Sequence, residues 1–186
     1  MGLITIIIIA VGLAMDAFAV SIVSGSAYKQ LKIKHIFRIA VFFGAFQAIM
    51  PLFGSLAGMS VKQYLANYDH WIAFGLLSAV GVKMIYESFK IAPAKQNFNP
   101  SNIFILLILS VATSIDALAI GITLSFLQVS IAMAVVIIGL VTFVLSYLGV
   151  FIGKKVGHFF ESKIEAGGGL LLIALGAKIL LEHLLF

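Results

Sequence analysis

The hydrophobic positions along this chain run in long stretches, and the polar positions collect between them. Six apolar stretches can be marked, at roughly 3–25, 36–58, 70–88, 103–127, 130–153 and 166–186. Each is long enough to cross a hydrocarbon core of ~30 Å, which takes about 20 helical residues. The segments between them carry most of the charge, with Pro93 and Pro100. A bilayer offers no water to backbone N–H and C=O groups, so spans of this kind must be helices. The pattern predicts an all-α, polytopic membrane protein of six transmembrane helices in a single domain over 1–186. The first stretch contains Ala17-Phe18-Ala19, which has the look of a signal-peptidase site. It lacks a basic leader, however, and Asp16 interrupts the apolar run, so it is expected to remain as a span.

The chain also matches itself. Ala14-Met15-Asp16-Ala17-Phe18-Ala19-Val20 aligns with Ser114-Ile115-Asp116-Ala117-Leu118-Ala119-Ile120 at an offset of 100. At an offset of 95, Gly44, Gly54 and Gly58 align with Gly139, Gly149 and Gly153. At that same offset Gly81-Val82-Lys83-Met84-Ile85-Tyr86-Glu87 meets Gly176-Ala177-Lys178-Ile179-Leu180-Leu181-Glu182. The blocks fall in the same order on spans 1, 2, 3 and on spans 4, 5, 6. Three is an odd number, so the second copy must enter the membrane upside down. Repeat 1 covers about 1–90 and repeat 2 about 102–186, two inverted three-helix repeats of the kind that place a transport site at the midplane.

Composition agrees with lipid as the solvent. Of 186 residues 62% are hydrophobic and 10% charged, and the mean hydropathy is +1.19. Soluble domains are nearer half apolar and a quarter charged. No cysteine is present, which excludes disulfides and thiolate metal sites. The net charge of +5 reads as topology. Lys29, Lys32, Lys34, Arg38, Lys90, Lys95, Lys154, Lys155 and Lys163 lie in the odd-numbered loops, against Lys62 alone on the other side. By the positive-inside rule the odd loops are cytoplasmic and both termini are outside. A nucleic-acid partner is not expected.

Two residues break the apolar pattern where it is most costly. Asp16 and Asp116 each lie about two residues past the centre of a span, ~3 Å from the midplane at 1.5 Å per residue. In antiparallel helices they would differ by only ~6 Å in depth, and if spans 1 and 4 pack together one cation could bridge them. A charge at the bilayer centre costs ~2.5 kcal/mol or more and marks a functional site by default. The plain alternative is a protonated carboxyl acting as interhelical glue, which does not explain why both copies keep it. Small residues share their faces, Gly12 and Ala19 with Asp16, Ala112 and Ala119 with Asp116.

Further candidate ligands lie on spans 2 and 4. Pro51 releases the carbonyl of Gln47 from its helical hydrogen bond, and released carbonyls bind cations; a simple packing kink is the other reading. Met50 beside carboxylates would suit a borderline divalent metal, or else it fills space against lipid. Thr113, Ser114 and Thr123 supply hydroxyls, which commonly bond back to their own helix. Lys83 with Glu87 and Lys178 with Glu182 read as intrahelical pairs that snorkel toward headgroups. His35, His70, His158 and His183 fall at membrane edges. No nucleophile–base pair is present, so an enzyme is not expected, and no cofactor either.

Gly149-Val150-Phe151-Ile152-Gly153-Lys154-Lys155 is one residue short of a P-loop and lacks its final Ser or Thr. Moving a divalent cation outward against an inside-negative potential costs ~4.6 kcal/mol per 100 mV. Without ATP something must flow inward, and carboxylates that alternate between metal and protons could couple the two.

The Asp motifs, Phe43-Gly44-Ala45 with Pro51 and Gly54, His70-Trp71-Ile72-Ala73-Phe74, and the Gly-rich final span from Gly167 carry a resemblance. Over essentially its whole length the chain resembles the bacterial manganese efflux pumps of the MntP type, within the superfamily that includes lysine exporters. The resemblance implies export of Mn²⁺ from the cytoplasm in exchange for protons, in the bacterial inner membrane, with Asp16 and Asp116 at the metal site. Alternatives are export of another divalent metal or a cationic amino acid, or a membrane subunit that transports nothing. The segment from about 89 to 102 departs from many relatives in being short and weakly charged.

Overall fold

In the computed structural model the apolar stretches are helical: α1 (Leu3–Ala27), α2 (Ile33–Leu65), α3 (Asp69–Ser88), α4 (Ile103–Phe126) and α5 (Ile131–Val156). The structure describes residues 3–27, 32–65, 69–89, 102–127 and 129–156. It also describes 166–167, 170, 172–174, 176–178 and 180–181, all helical. Side chains at 27, 61–65, 69, 70, 73, 84, 87, 88 and 156 fall outside the description, and no strand occurs among the described residues. The β-branched run Ile6-Ile7-Ile8-Ile9 would not favour helix in water. In lipid the need to satisfy every peptide group overrides that preference. α4 starts where Asn102, in extended backbone conformation, accepts a hydrogen bond from the N–H of Phe104 at 2.9 Å through its side-chain oxygen. It closes with the N–H of Leu127 on the carbonyl of Thr123 at 3.3 Å.

Among the described residues four helices are long and apolar enough to cross a membrane, over Leu3–Ser26, Ile33–Ser60, Ile103–Phe126 and Ile131–Lys155. α3 has 20 residues, and among its described side chains Phe74–Lys83 form an apolar run. In sequence, Asp69 and His70 precede that run, Lys83 ends it and Glu87 follows. The helical residues between 166 and 181 fall inside the sixth apolar stretch. Large side chains are exposed around the outside, among them Ile4, Phe53, Val136 and Leu140, while Ser21, Ser110, Ser114, Thr123, Thr142 and Ser146 turn inward. An apolar exterior over an interior that holds hydroxyls is the distribution that a lipid solvent imposes.

The packing follows the glycines. α1 lies against α5, α4 lies against α2, and α2 crosses α5, while α1 and α4 touch only lightly. A side chain on Gly149 would meet Phe18, and one on Gly153 would collide with Ile22. On the other side, Gly54 and Gly58 hold the same relation to Leu118 and Ile122. Shifting the first set by 100 on α1 and by 95 on α5 generates the second. In both, residue numbers rise together, so α1 runs parallel to α5 and α2 parallel to α4. Where α2 crosses α5, Gly44 meets Gly139, its own equivalent at 95, and the contacts Gly44–Phe143 and Gly139–Ala48 exchange under that shift. There the numbers run oppositely, so α2 and α5 are antiparallel. Close backbone approach through small residues replaces the hydrophobic drive that is missing between helices in lipid.

Candidate functional site

Both aspartates are turned inward. Asp16 is 9% exposed and Asp116 5%, and neither faces the surrounding lipid. On α1, Phe18, Ser21, Ile22 and Gly25 lie on the glycine seam with α5. At ~100° per residue Asp16 points about 180° from their mean direction. Asp116 has the same relation to Leu118, Gly121, Ile122 and Ser125, which touch α2. Direct packing of α1 on α4, the condition for one cation to bridge the two carboxylates, is therefore a minor contact. The glycines of α2 and α5 draw α4 and α1 onto themselves. What α1 and α4 do share is an apolar cluster, with Ile6, Ile9 and Leu13 from one and Ala117, Ile120 and Leu124 from the other.

Lys83 departs most from the sequence reading. Its Nζ donates to Asp116 Oδ1 at 2.7 Å, an ion pair between α3 and α4. The ammonium thus does not snorkel outward. A carboxylate among apolar residues gains more from a counter-charge than the headgroup region would offer the lysine. Asp116 Oδ2 has no hydrogen-bond partner among the described residues. The side chain of Glu87 lies outside the described residues, as do Glu182 and His158, His183 and the side chain of His70. Lys178 is described and exposed.

Gln47 ties α2 to α1. Fully buried, it donates from Nε2 to the carbonyl of Leu13 at 3.1 Å, about one turn from Asp16. Its Oε1 is left without a hydrogen-bond partner among the described residues, and such a buried acceptor costs ~1–3 kcal/mol. Pro51, one turn on, is buried, and α2 continues helically through it. Met50 is half-buried against the cluster that contains Ile9 and Leu13, so it does not simply fill space against lipid.

The hydroxyls of α4 bond back to their own helix. Thr113 Oγ1 donates to the carbonyl of Leu109 at 3.0 Å, Ser114 Oγ to that of Ser110 at 2.6 Å, and Thr123 Oγ1 to that of Ala119 at 3.2 Å. This does not remove them as ligands, because a hydroxyl that donates its hydrogen keeps its lone pairs.

Thr142 and Ser146 on α5 escaped the sequence reading. Both are fully buried, and neither hydroxyl has a hydrogen-bond partner among the described residues. The signal was available: at the offset of 95, Thr142 is the equivalent of Gln47 and Ser146 of Pro51.

Among the described residues no three His, Asp or Glu side chains gather into a metal site. A hard cation here would have to combine carboxylates with neutral oxygens from amide, hydroxyl or carbonyl groups, a donor set that suits Mg²⁺, Ca²⁺ or Mn²⁺ better than soft metals.

Comparison with known proteins gives a consistent result. A model of the family described as "Putative manganese efflux pump" matches residues 30–180. A protein of Crocosphaera subtropica named "Putative manganese efflux pump MntP" is 52% identical over 185 residues, covering 100% of this chain and 98% of that protein. Proteins of the same name from Methanosarcina barkeri and Acetivibrio thermocellus are 49% and 50% identical. The alignments span 100% and 99% of this chain and 100% and 93% of theirs. No solved structure matches.

Proposed function

We propose that this chain, an integral membrane protein that belongs to the MntP family of putative manganese efflux pumps, exports Mn²⁺ from the cytoplasm in exchange for protons. The carriers of the ion are Asp16 and Asp116, with Gln47, Met50, Thr113 and Ser114 as neutral ligands nearby. The observation that carries this reading is the burial of two carboxylates on α1 and α4 at equivalent positions of the two sequence copies. One of them already holds a cationic group. Each carboxylate binds either metal or proton, so exchange follows from competition at the same oxygens. The inward flow of protons then drives a divalent ion against the membrane potential.

The architecture in this reading is six spans in a single domain, built as two inverted three-helix repeats of about 1–90 and 102–186. The exchange-related contacts of α1–α5 and α4–α2, and the antiparallel crossing of α2 and α5, support it. The distribution of Lys and Arg supports cytoplasmic odd loops, termini outside, and the bacterial inner membrane as the site of action. Nothing in this mechanism requires a cofactor or a catalytic residue.

The test is growth of a host deficient in metal export on graded Mn²⁺, Co²⁺, Zn²⁺ and Cd²⁺. The chain should restore tolerance to manganese selectively, and Asp16→Asn or Asp116→Asn should each abolish it. Rescue that survives both substitutions would refute the site. The Lys83–Asp116 contact favours one second reading, since a carboxylate that accepts an ammonium can accept a cationic amino acid. Restored tolerance to lysine or arginine, with no effect on manganese, would select that reading.

A further inference from the structure

We infer that Lys83 is a tethered cation that occupies the Asp116 carboxylate in the metal-free carrier and gives way to the incoming metal. The inference rests on the reading of Asp116 as a cargo-binding group. The ion pair is one-sided: Nζ holds Oδ1 at 2.7 Å, while Oδ2 has no hydrogen-bond partner among the described residues. Oδ2, buried but without a hydrogen-bond partner among the described residues, keeps its lone pairs for a divalent ion that enters as Lys83 withdraws. The two partners differ in exposure, 40% for the lysine side chain against 6% for the aspartate. Lys83 thus reaches into the protein from its periphery, and its flexible stem and compact charge allow it to swing back out. A doubly charged ion attracts the carboxylate about twice as strongly as an ammonium at equal distance, so displacement is favourable once the metal has shed water.

The device also accounts for the empty carrier. With Lys83 in place, the charge of Asp116 is compensated in the interval between release of one ligand, metal or proton, and arrival of the other, and the carboxylate can stay buried. α3, which brings the lysine, packs on α4, so the arm and the carboxylate belong to neighbouring helices of the first and second sequence copies. The repeat assigns the equivalent relation to Lys178 and Asp16, at offsets of 95 and 100.

The experiment uses the full chain in proteoliposomes, with initial rates of transport measured against Mn²⁺ concentration. Removal of the competing cation in Lys83→Gln should lower KM by about five-fold or more while the maximal rate also falls. Lys83→Arg should keep KM within about two-fold of the parent. A lysine that only supports the fold would raise KM or leave it unchanged, and that result overturns the inference. The chain has no cysteine, so Lys83→Cys treated with 2-bromoethylamine rebuilds an ammonium at this position alone and should restore the parental KM. The unsubstituted protein supplies an independent measurement. Mn²⁺ should increase acylation of Lys83 several-fold, read by mass spectrometry against Lys154 and Lys155; equal or reduced labelling contradicts displacement. Asp116→Asn separates the two levels of the argument. Normal transport in that variant removes the site itself, whereas an inactive Asp116→Asn beside an unchanged KM in Lys83→Gln removes only the role of the lysine.

Discussion

The two aspartates hold equivalent places in sequence, yet their helices are covered differently. Around Asp16 the wall is made of packed small and medium residues: Gly12, Leu13, Ala17 and Ala19 are all buried. Around Asp116 the helix is partly open. Ala112 is exposed, Ile115 is 55% exposed and Leu118 36%, although Asp116 itself is as well buried as its counterpart. Part of the cover over Asp116 is the long side chain of Lys83 from α3, whose ammonium holds Oδ1. A duplicated helix thus need not be covered equally along its flanks. The part of the cover over Asp116 that Lys83 supplies can change by rotation about side-chain bonds, far faster than helices rearrange.

This contrast can be broken in several ways, the most severe first. Asp16→Asn and Asp116→Asn should each abolish manganese tolerance, but with different effects on the fold. Asp116→Asn leaves Lys83 able to turn outward, so its thermal midpoint in detergent should move by only a few degrees. If Asp116→Asn instead prevented folding, the lysine would be a fixed structural partner. Next come the glycines. Gly54→Val and Gly149→Val would each drive a side chain into a facing backbone and cost ~1–3 kcal/mol or more. Equal losses, measured as shifts in the midpoint of thermal unfolding, would show that the α2–α4 and α1–α5 seams are energetically alike despite their different exteriors. Gln47→Leu removes the bond to the Leu13 carbonyl but also an unpartnered acceptor, so stability should change by ~1 kcal/mol or less. Manganese transport should suffer far more if the amide is a ligand. The smallest effect is expected of Thr142→Val, which removes a buried hydroxyl that has no hydrogen-bond partner among the described residues. Its thermal midpoint should hold or rise slightly, and a large fall would mean that the hydroxyl is satisfied after all.

Much of this arrangement could be read from the chain alone. Helix positions followed from apolar length, because in lipid only helices satisfy the backbone. α1, α4 and α5 agree with their apolar stretches to within a few residues, while α2 runs on to Leu65, past the last apolar turn. The offset of 95 paired Gly44, Gly54 and Gly58 with Gly139, Gly149 and Gly153 as equivalents, but which helix each would face came only from the structure. The partner of Lys83 could not be read. Within one helix, the four-residue spacing to Glu87 offered a local explanation, and nothing in a linear pattern reveals that a neighbouring helix presents a carboxylate. The same blindness applies to the main partner of α1. A pseudo-two-fold relation is compatible with α1 on α4 or with α1 on α5, and glycines on α2 and α5 decide it only once their faces are known. Thr142 and Ser146 were hidden for another reason: serine and threonine in helices are usually self-satisfied, as Ser21, Ser24, Ser110 and Thr113 are here.

The seating of α1 on α5 and of α4 on α2 has a consequence for how the polypeptide is assembled. Neither copy closes on itself, since the groove that receives each leading helix is carved in the other copy. A fragment ending near residue 90 would leave Gly54 and Gly58 without their complement and should be degraded when made alone. Supplied together as two separate chains, the fragments should rescue each other, so covalent continuity between them is dispensable and mutual templating is not.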